Sequence, residues 1–208
     1  FHLPCLATSL TLATTFLCIW PEVRGMATTS LWVDELYSIK EYSAKGPSFT
    51  MTHYIPNNHI FFNLLNSVTP GRDRFNPLRA RLWSVIFVAL AFLIIIVSQA
   101  LAGQLFEGSF QSFLFLANLS YLDLILQARG YSVLAFATMS CVVLTWDYFR
   151  RPSLVAFVGM ALAVWVGAWS VPIFLFFGGA LFSVLLIYSR DWRWLVSGAF
   201  ALALIGLV

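Results

Sequence analysis

The chain has 208 residues, of which 60% are hydrophobic and 10% charged, with a formal net charge of +3. That composition excludes an ordinary soluble domain, which carries about 25% charged residues and needs them for its surface. The basic residues flank apolar runs instead of forming a patch, so no nucleic-acid partner is expected.

The apolar residues fall in runs long enough to cross a bilayer as helices, for which about 20 residues are needed. The first predicted span covers 2–20 and Pro21 marks its end. It has no small-residue cleavage site followed by a soluble domain, so it is not read as a signal peptide. A long polar segment, 21–77, follows. The second span begins at Asn76-Pro77, an N-cap followed by proline at the first helical position, and covers 78–102. Further spans are predicted over 109–127, 131–148, 154–169 and 172–188, and a last one starts near Trp194. The expected fold class is an all-α polytopic transmembrane bundle of about seven spans, forming one domain over 1–208. Phe1 stands where an initiator Met is absent and Val208 lies inside an apolar run, a pattern expected of the N-terminal part of a longer protein. Cys5, Cys18 and Cys141 lie in apolar runs without metal-ligand spacing and read as small apolar residues.

Arg150-Arg151 lies two spans before Arg190 and Arg193, so the two clusters share a side. The positive-inside rule makes that side cytoplasmic. Counting back puts the 21–77 loop and the turn at Arg129-Gly130 outside.

Two short helices are predicted in the long loop. The first covers 31–44 and is ended by Gly46-Pro47. Asp34, Ser38, Glu41 and Lys45 recur at helical spacing, with Leu31, Trp32, Leu36, Tyr37 and Ile39 as an apolar side. That pattern suits a helix lying in the membrane interface. The second covers 59–68, capped by Asn57 or Asn58 and ended by Pro70-Gly71. Its polar residues His59, Asn63 and Asn66 fall on one face.

Asp34-Glu35 taken alone is a helix start whose acids complement the macrodipole. His59 taken alone is a structural histidine. Yet His53-Tyr54 and Asn57-Asn58-His59 follow closely, in apolar, aromatic-rich surroundings. Together they offer a carboxylate base and hydrogen-bonding groups near the outer surface, which is what deprotonating an acceptor hydroxyl requires. On the same side, Arg129 either snorkels to headgroups or meets a phosphate, with Tyr131 in support. Asp123 is an acid inside a span, costly there and a functional candidate by default, and it could simply pair with Arg129.

Three motifs in order carry a family resemblance: Leu31-Trp32-Val33-Asp34-Glu35, Tyr54-Ile55-Pro56-Asn57-Asn58-His59-Ile60-Phe61, and Gln127-Ala128-Arg129-Gly130-Tyr131-Ser132. The chain resembles the C-type-fold membrane glycosyltransferases that use polyprenyl-phosphate sugars. More narrowly it is similar to the bacterial branch related to protein O-mannosyltransferases and lipid A aminoarabinose transferases. The resemblance implies that Asp34 is the catalytic base, with Glu35 beside it, and that Arg129 and Tyr131 lie near the donor phosphate. Gln127 stands where relatives often carry an acid, which puts an acidic role there in doubt. The implied reaction is an inverting sugar transfer from a polyprenyl phosphate to a hydroxyl of a lipid, glycan or protein. Arg72 or Arg74 would join Arg129 on the leaving phosphate, and His53, Tyr54, Asn57 and Asn58 would help bind acceptor or donor. Asp34, Glu35 and His59 could supply ligands to a divalent metal, which stays unassigned. The implied setting is a multi-pass protein of a bacterial inner membrane, its long first loop periplasmic and its partners the lipid-linked donor, the acceptor and membrane lipids. The rival reading is a transporter or lipid flippase, which ordinarily keeps acids or broken helices at mid-membrane. Here the polar groups gather outside.

Overall fold

The computed structural model describes residues 17, 20–53, 55, 58–70, 75–104, 110 and 118–206. The predicted first span, Cys5, Cys18, and the early part of the predicted third span lie outside these residues. All regular structure among the described residues is helical.

Residues 20–28 are helical (α1). Then come α2 (Val33–Glu41), a 3-10 turn (Ser43–Lys45), α3 (Pro47–Thr52), α4 (Ile60–Val68) and α5 (Pro77–Ala80). The longer helices are α6 (Leu82–Leu101), α7 (Leu119–Leu126), α8 (Tyr131–Arg150), α9 (Leu154–Ser170), α10 (Phe174–Ser189) and α11 (Arg193–Gly206). Asn76 caps α5 as its sequence predicts, its side chain accepting the Arg79 N–H at 3.2 Å, with Pro77 at the first helical position. The same logic runs twice at Gly46-Pro47. Gly46, at φ +96°, stops the preceding turn, and Pro47 opens α3, an element beyond the two loop helices expected from the sequence. The predicted cap of α4 is corrected: His59 holds the N-cap position, without a side-chain capping bond, because Asn58 is turned inward to other partners.

α8 to α11 run alternately up and down. Tyr148 on α8 donates to Asp191 in the α10–α11 turn at 3.2 Å, so Arg150 and Arg193 lie at the same end, as expected from the charge pattern. Between them Tyr148 packs edge to face on Phe157 and Trp194, which are tilted against each other, with ring centres 4.3–5.5 Å apart. α6 runs parallel to α8 and packs along it. Both begin at the end of the bundle where the 21–77 loop sits.

α6 and α8 are the two helices long and apolar enough to cross a membrane. Only 22% and 39% of their most apolar stretches are buried, which is unlike the core helix of a soluble protein. α9, α10 and α11 are apolar but shorter, at 17, 16 and 14 residues.

Both loop helices bury polar side chains together with apolar ones, α4 burying Ile60 and Phe62 as fully as Asn63. α2 buries Glu35, Ser38 and Ile39 and leaves Trp32, Val33, Leu36 and Tyr37 exposed. α4 buries Asn63 and Asn66 along with the His59 that precedes it. Of the polar stripe expected on the first loop helix, Asp34 and Lys45 are exposed and Glu41 is half-buried, while Ser38 turns inward together with Glu35. Where the surroundings are as apolar as the core, polar side chains do better bonded to one another inside the fold.

Candidate functional site

The site is organised by a buried ion pair. Glu35, fully buried, accepts from Arg81 through both oxygens: Nε to Oε1 at 2.7 Å and Nη2 to Oε2 at 2.5 Å. Its Oε2 also accepts the Trp32 N–H at 2.8 Å, which closes the start of α2, and its Oε1 accepts the Ala128 N–H at 2.5 Å. The guanidinium is equally committed. It donates to the Met26 carbonyl, to the Thr29 carbonyl at 3.0 Å and hydroxyl at 3.1 Å, and to the Ser30 carbonyl at 3.3 Å. Two charges removed from water are tolerable only with this completeness of bonding. The pair thereby joins the end of α1, the start of α2, the α5–α6 junction and the turn before α8. Glu35 is therefore corrected from a supporting acid or metal ligand to a structural carboxylate, since four donors already occupy its oxygens.

Asp34 precedes Glu35 by one residue, a rotation of about 100° around α2, and so points outward. Its side chain is 71% exposed and meets Arg129, with Nη1 3.2 Å from Oδ2. Arg129 lies in the turn held by the Ala128–Glu35 bond, and its Nε donates to His59 Nε2 at 3.2 Å. Its guanidinium carbon sits 5.2 Å from the centre of the Tyr131 ring, whose edge-to-face partner at 5.4 Å is the His59 ring. Arg129 thus touches both Asp34 and His59, with the Tyr131 ring beside them.

His59 is fixed from its other side. Nδ1 lies 2.7 Å from the Ser170 carbonyl at the end of α9. A carbonyl only accepts, so Nδ1 carries the proton and Nε2 presents a lone pair to Arg129. Burial pushes the His59 pKa down from 6.5 to about 4, with the Arg129 charge adding to the shift and the Ser170 bond opposing it. The imidazole is therefore neutral at ordinary pH. Gly130 completes this corner: a Cβ there would stand 2.8 Å from the Ser170 oxygen and 3.0 Å from His59 Nδ1.

Other predicted residues are placed elsewhere. Asn58 is buried and donates to the Thr50 and His53 carbonyls at 2.8 and 2.7 Å. Its oxygen accepts from Asn63 at 3.0 Å, while the Asn63 oxygen accepts from Ser38 and Ser43, each at 3.1 Å. This network ties α2, α3 and α4 together, so Asn58 is corrected from a binding group to a scaffold group. His53 is exposed, bonds to the Phe49 carbonyl at 3.0 Å and stacks on the Phe49 ring, and so stays out of the cluster. Tyr54, Asn57, Arg72 and Arg74 lie outside the described residues. Arg129 pairs with Asp34 and not with Asp123, which among the described residues has no ion-pair partner. Also among the described residues, no three His, Cys, Asp or Glu side chains gather as metal ligands, so Asp34, Glu35 and His59 do not form the metal trio considered above.

The residues that sequence reasoning missed are Arg81, Ser170 and Gly130. Arg81 did carry a signal, being a charge at the start of an apolar run. Ser170 acts through its backbone and carried none.

The arrangement offers an exposed carboxylate beside a guanidinium whose Nη2 donates to no described residue. It stands at the end of the bundle where both membrane-length helices begin. No protein-family model, curated protein or solved structure matches the chain.

Proposed function

We propose that the chain is the catalytic part of a membrane glycosyltransferase that moves a sugar from a polyprenyl-phosphate donor to a hydroxyl acceptor. One observation carries the reading. Asp34, Arg129 and His59, from three separated segments, meet at one point, with the carboxylate open to solvent. In this reading α8 to α11 and α6 belong to the predicted bundle of about seven spans. The 21–77 loop then lies on the periplasmic side of a bacterial inner membrane. The exposed apolar residues Trp32, Val33, Leu36 and Tyr37 beside Asp34 suit a surface that meets lipid-linked molecules.

In the reaction, Asp34 takes the proton of the acceptor hydroxyl as its oxygen attacks the anomeric carbon. The bond from that carbon to the phosphate oxygen breaks, and its electron pair leaves with the phosphate. The configuration inverts. Arg129 stabilises the departing anion. Its pair with Asp34 is partly exposed, of a kind worth about 0–1 kcal/mol, so an arriving phosphate can displace the carboxylate and free it as a base. Neutral His59 holds the guanidinium from the opposite side without competing for the anion.

The test is Asp34→Asn in the full-length protein, assayed with defined polyprenyl-phosphate sugars. Loss of a general base should lower turnover by about 100- to 10,000-fold with thermal unfolding unchanged. Full activity in that variant removes the assignment.

A further inference from the structure

The helices that start at the candidate site end together about 30 Å away, twenty residues at 1.5 Å each. That is the thickness of a hydrocarbon core. At this far end the described residues of α6 and α8 enclose an open cavity of about 660 Å³. Val97 and Leu101 on α6 and Val143 and Leu144 on α8 form its apolar walls, and Arg150 and Arg151 close it on the polar side. The Arg150 guanidinium carbon is 5.2 Å from the centre of the Trp146 ring, which also lines the cavity. Among the described residues, neither arginine pairs with a carboxylate. Asp147 lines the same cavity, yet its recorded bond to Arg151 is backbone to backbone, at 2.8 Å. Among the described residues, two arginines without an ion-pair partner thus flank an apolar slot whose lining also holds Asp147, which leaves an excess of one positive charge there.

We propose that this cavity is a binding site for an anionic phospholipid, its acyl chain along Val97 and Val143 and its headgroup phosphate on Arg150 and Arg151. Basic pockets between membrane helices on the positively charged side recognise such headgroups, and planar guanidinium groups match phosphate. The site rests on α6 and α8 crossing the membrane and is independent of the transferase reading.

The test uses the full-length protein in detergent, with phosphatidylglycerol and phosphatidylcholine of matched acyl chains, read by native mass spectrometry and thermal shift. Phosphatidylglycerol should stay bound and raise the unfolding temperature, while phosphatidylcholine does neither. The double variant Arg150→Gln/Arg151→Gln should bind about 30-fold more weakly, at the usual worth of two surface arginines near anionic lipid. Ser98→Trp, which fills the slot and keeps both charges, should also lose the lipid. Equal retention of the two lipids overturns the proposal, as does undiminished binding in both variants. Equal stabilisation by inorganic phosphate overturns the lipid as the occupant, and a second copy of the chain bound there in its place does the same. Should a variant not fold, the comparison of the two lipids on the unmodified protein decides.

Discussion

Replacing Glu35 by alanine leaves the Arg81 guanidinium buried without its counter-charge and strands the Trp32 and Ala128 N–H groups. Arg81 is 2% exposed, so water cannot replace the lost acceptor without opening the fold. Breaking a buried pair by removing one partner costs about 3–5 kcal/mol. For a chain of this size, 1 kcal/mol moves the unfolding temperature by about 2–4 °C, so Glu35→Ala should lower it by about 6–20 °C. Removing both charges behaves differently, because no uncompensated ion remains. Glu35→Gln/Arg81→Met should recover most of the loss, giving a coupling of about 0.5–3 kcal/mol in the double-mutant cycle. The measurement is thermal unfolding in detergent of the parent protein, Glu35→Ala, and the cycle of Glu35→Gln, Arg81→Met and their double variant. Additive single losses, or a Glu35→Ala protein as stable as the parent, would refute the claim that this pair organises the site.

The His59 pKa predicts an acid limit. Its folded value of about 4 lies below the usual 6.5, so between these the unfolded chain binds the proton that the folded one does not. Stability from this group is complete above about pH 6.5 and falls with acidification until about pH 4, by about 3 kcal/mol in all. Unfolding temperatures of the parent and His59→Gln across that range test it, and parallel profiles refute it. Gly130→Ala should cost about 1–3 kcal/mol, because the new methyl meets a backbone oxygen that cannot turn aside. Thermal unfolding reads this directly, and a neutral result means that the corner at Ser170 is looser than described. Asn63→Ala should cost about 1–3 kcal/mol by removing the acceptor of two buried hydroxyls and the donor to Asn58, and thermal unfolding unchanged from the parent would refute this network.

Caps and breakers were legible because they act locally. Asn76-Pro77 starts α5 as its chemistry dictates, whereas the first loop helix, expected to run to Gly46-Pro47, stops at Glu41 and Gly46 closes the 3-10 turn that follows. The shared end of Arg150 and Arg193 followed from counting apolar runs. The partners were not legible. Glu35 and Arg81 are 46 residues apart, and periodicity describes faces without saying which face meets which. It also left open which side of α2 and α4 turns inward. Soluble-protein logic puts the polar stripe outside, whereas here Ser38, Asn63 and Asn66 are buried and bonded. Asp34, Arg129 and His59 could be placed on one side by counting, but the contact itself depends on Glu35 holding Ala128, a backbone bond with no mark in the sequence.

The order of the Asp34-Glu35 dipeptide then carries meaning. α2 begins at Val33, so the second acid faces inward and the first outward. The inward position needs the longer side chain, because one carboxylate must reach Arg81, Trp32 and Ala128 together. The reversed dipeptide has the same composition and charge, yet its shorter acid would stop one methylene short of those three donors. Two neighbouring acids of one charge are in this fold not interchangeable.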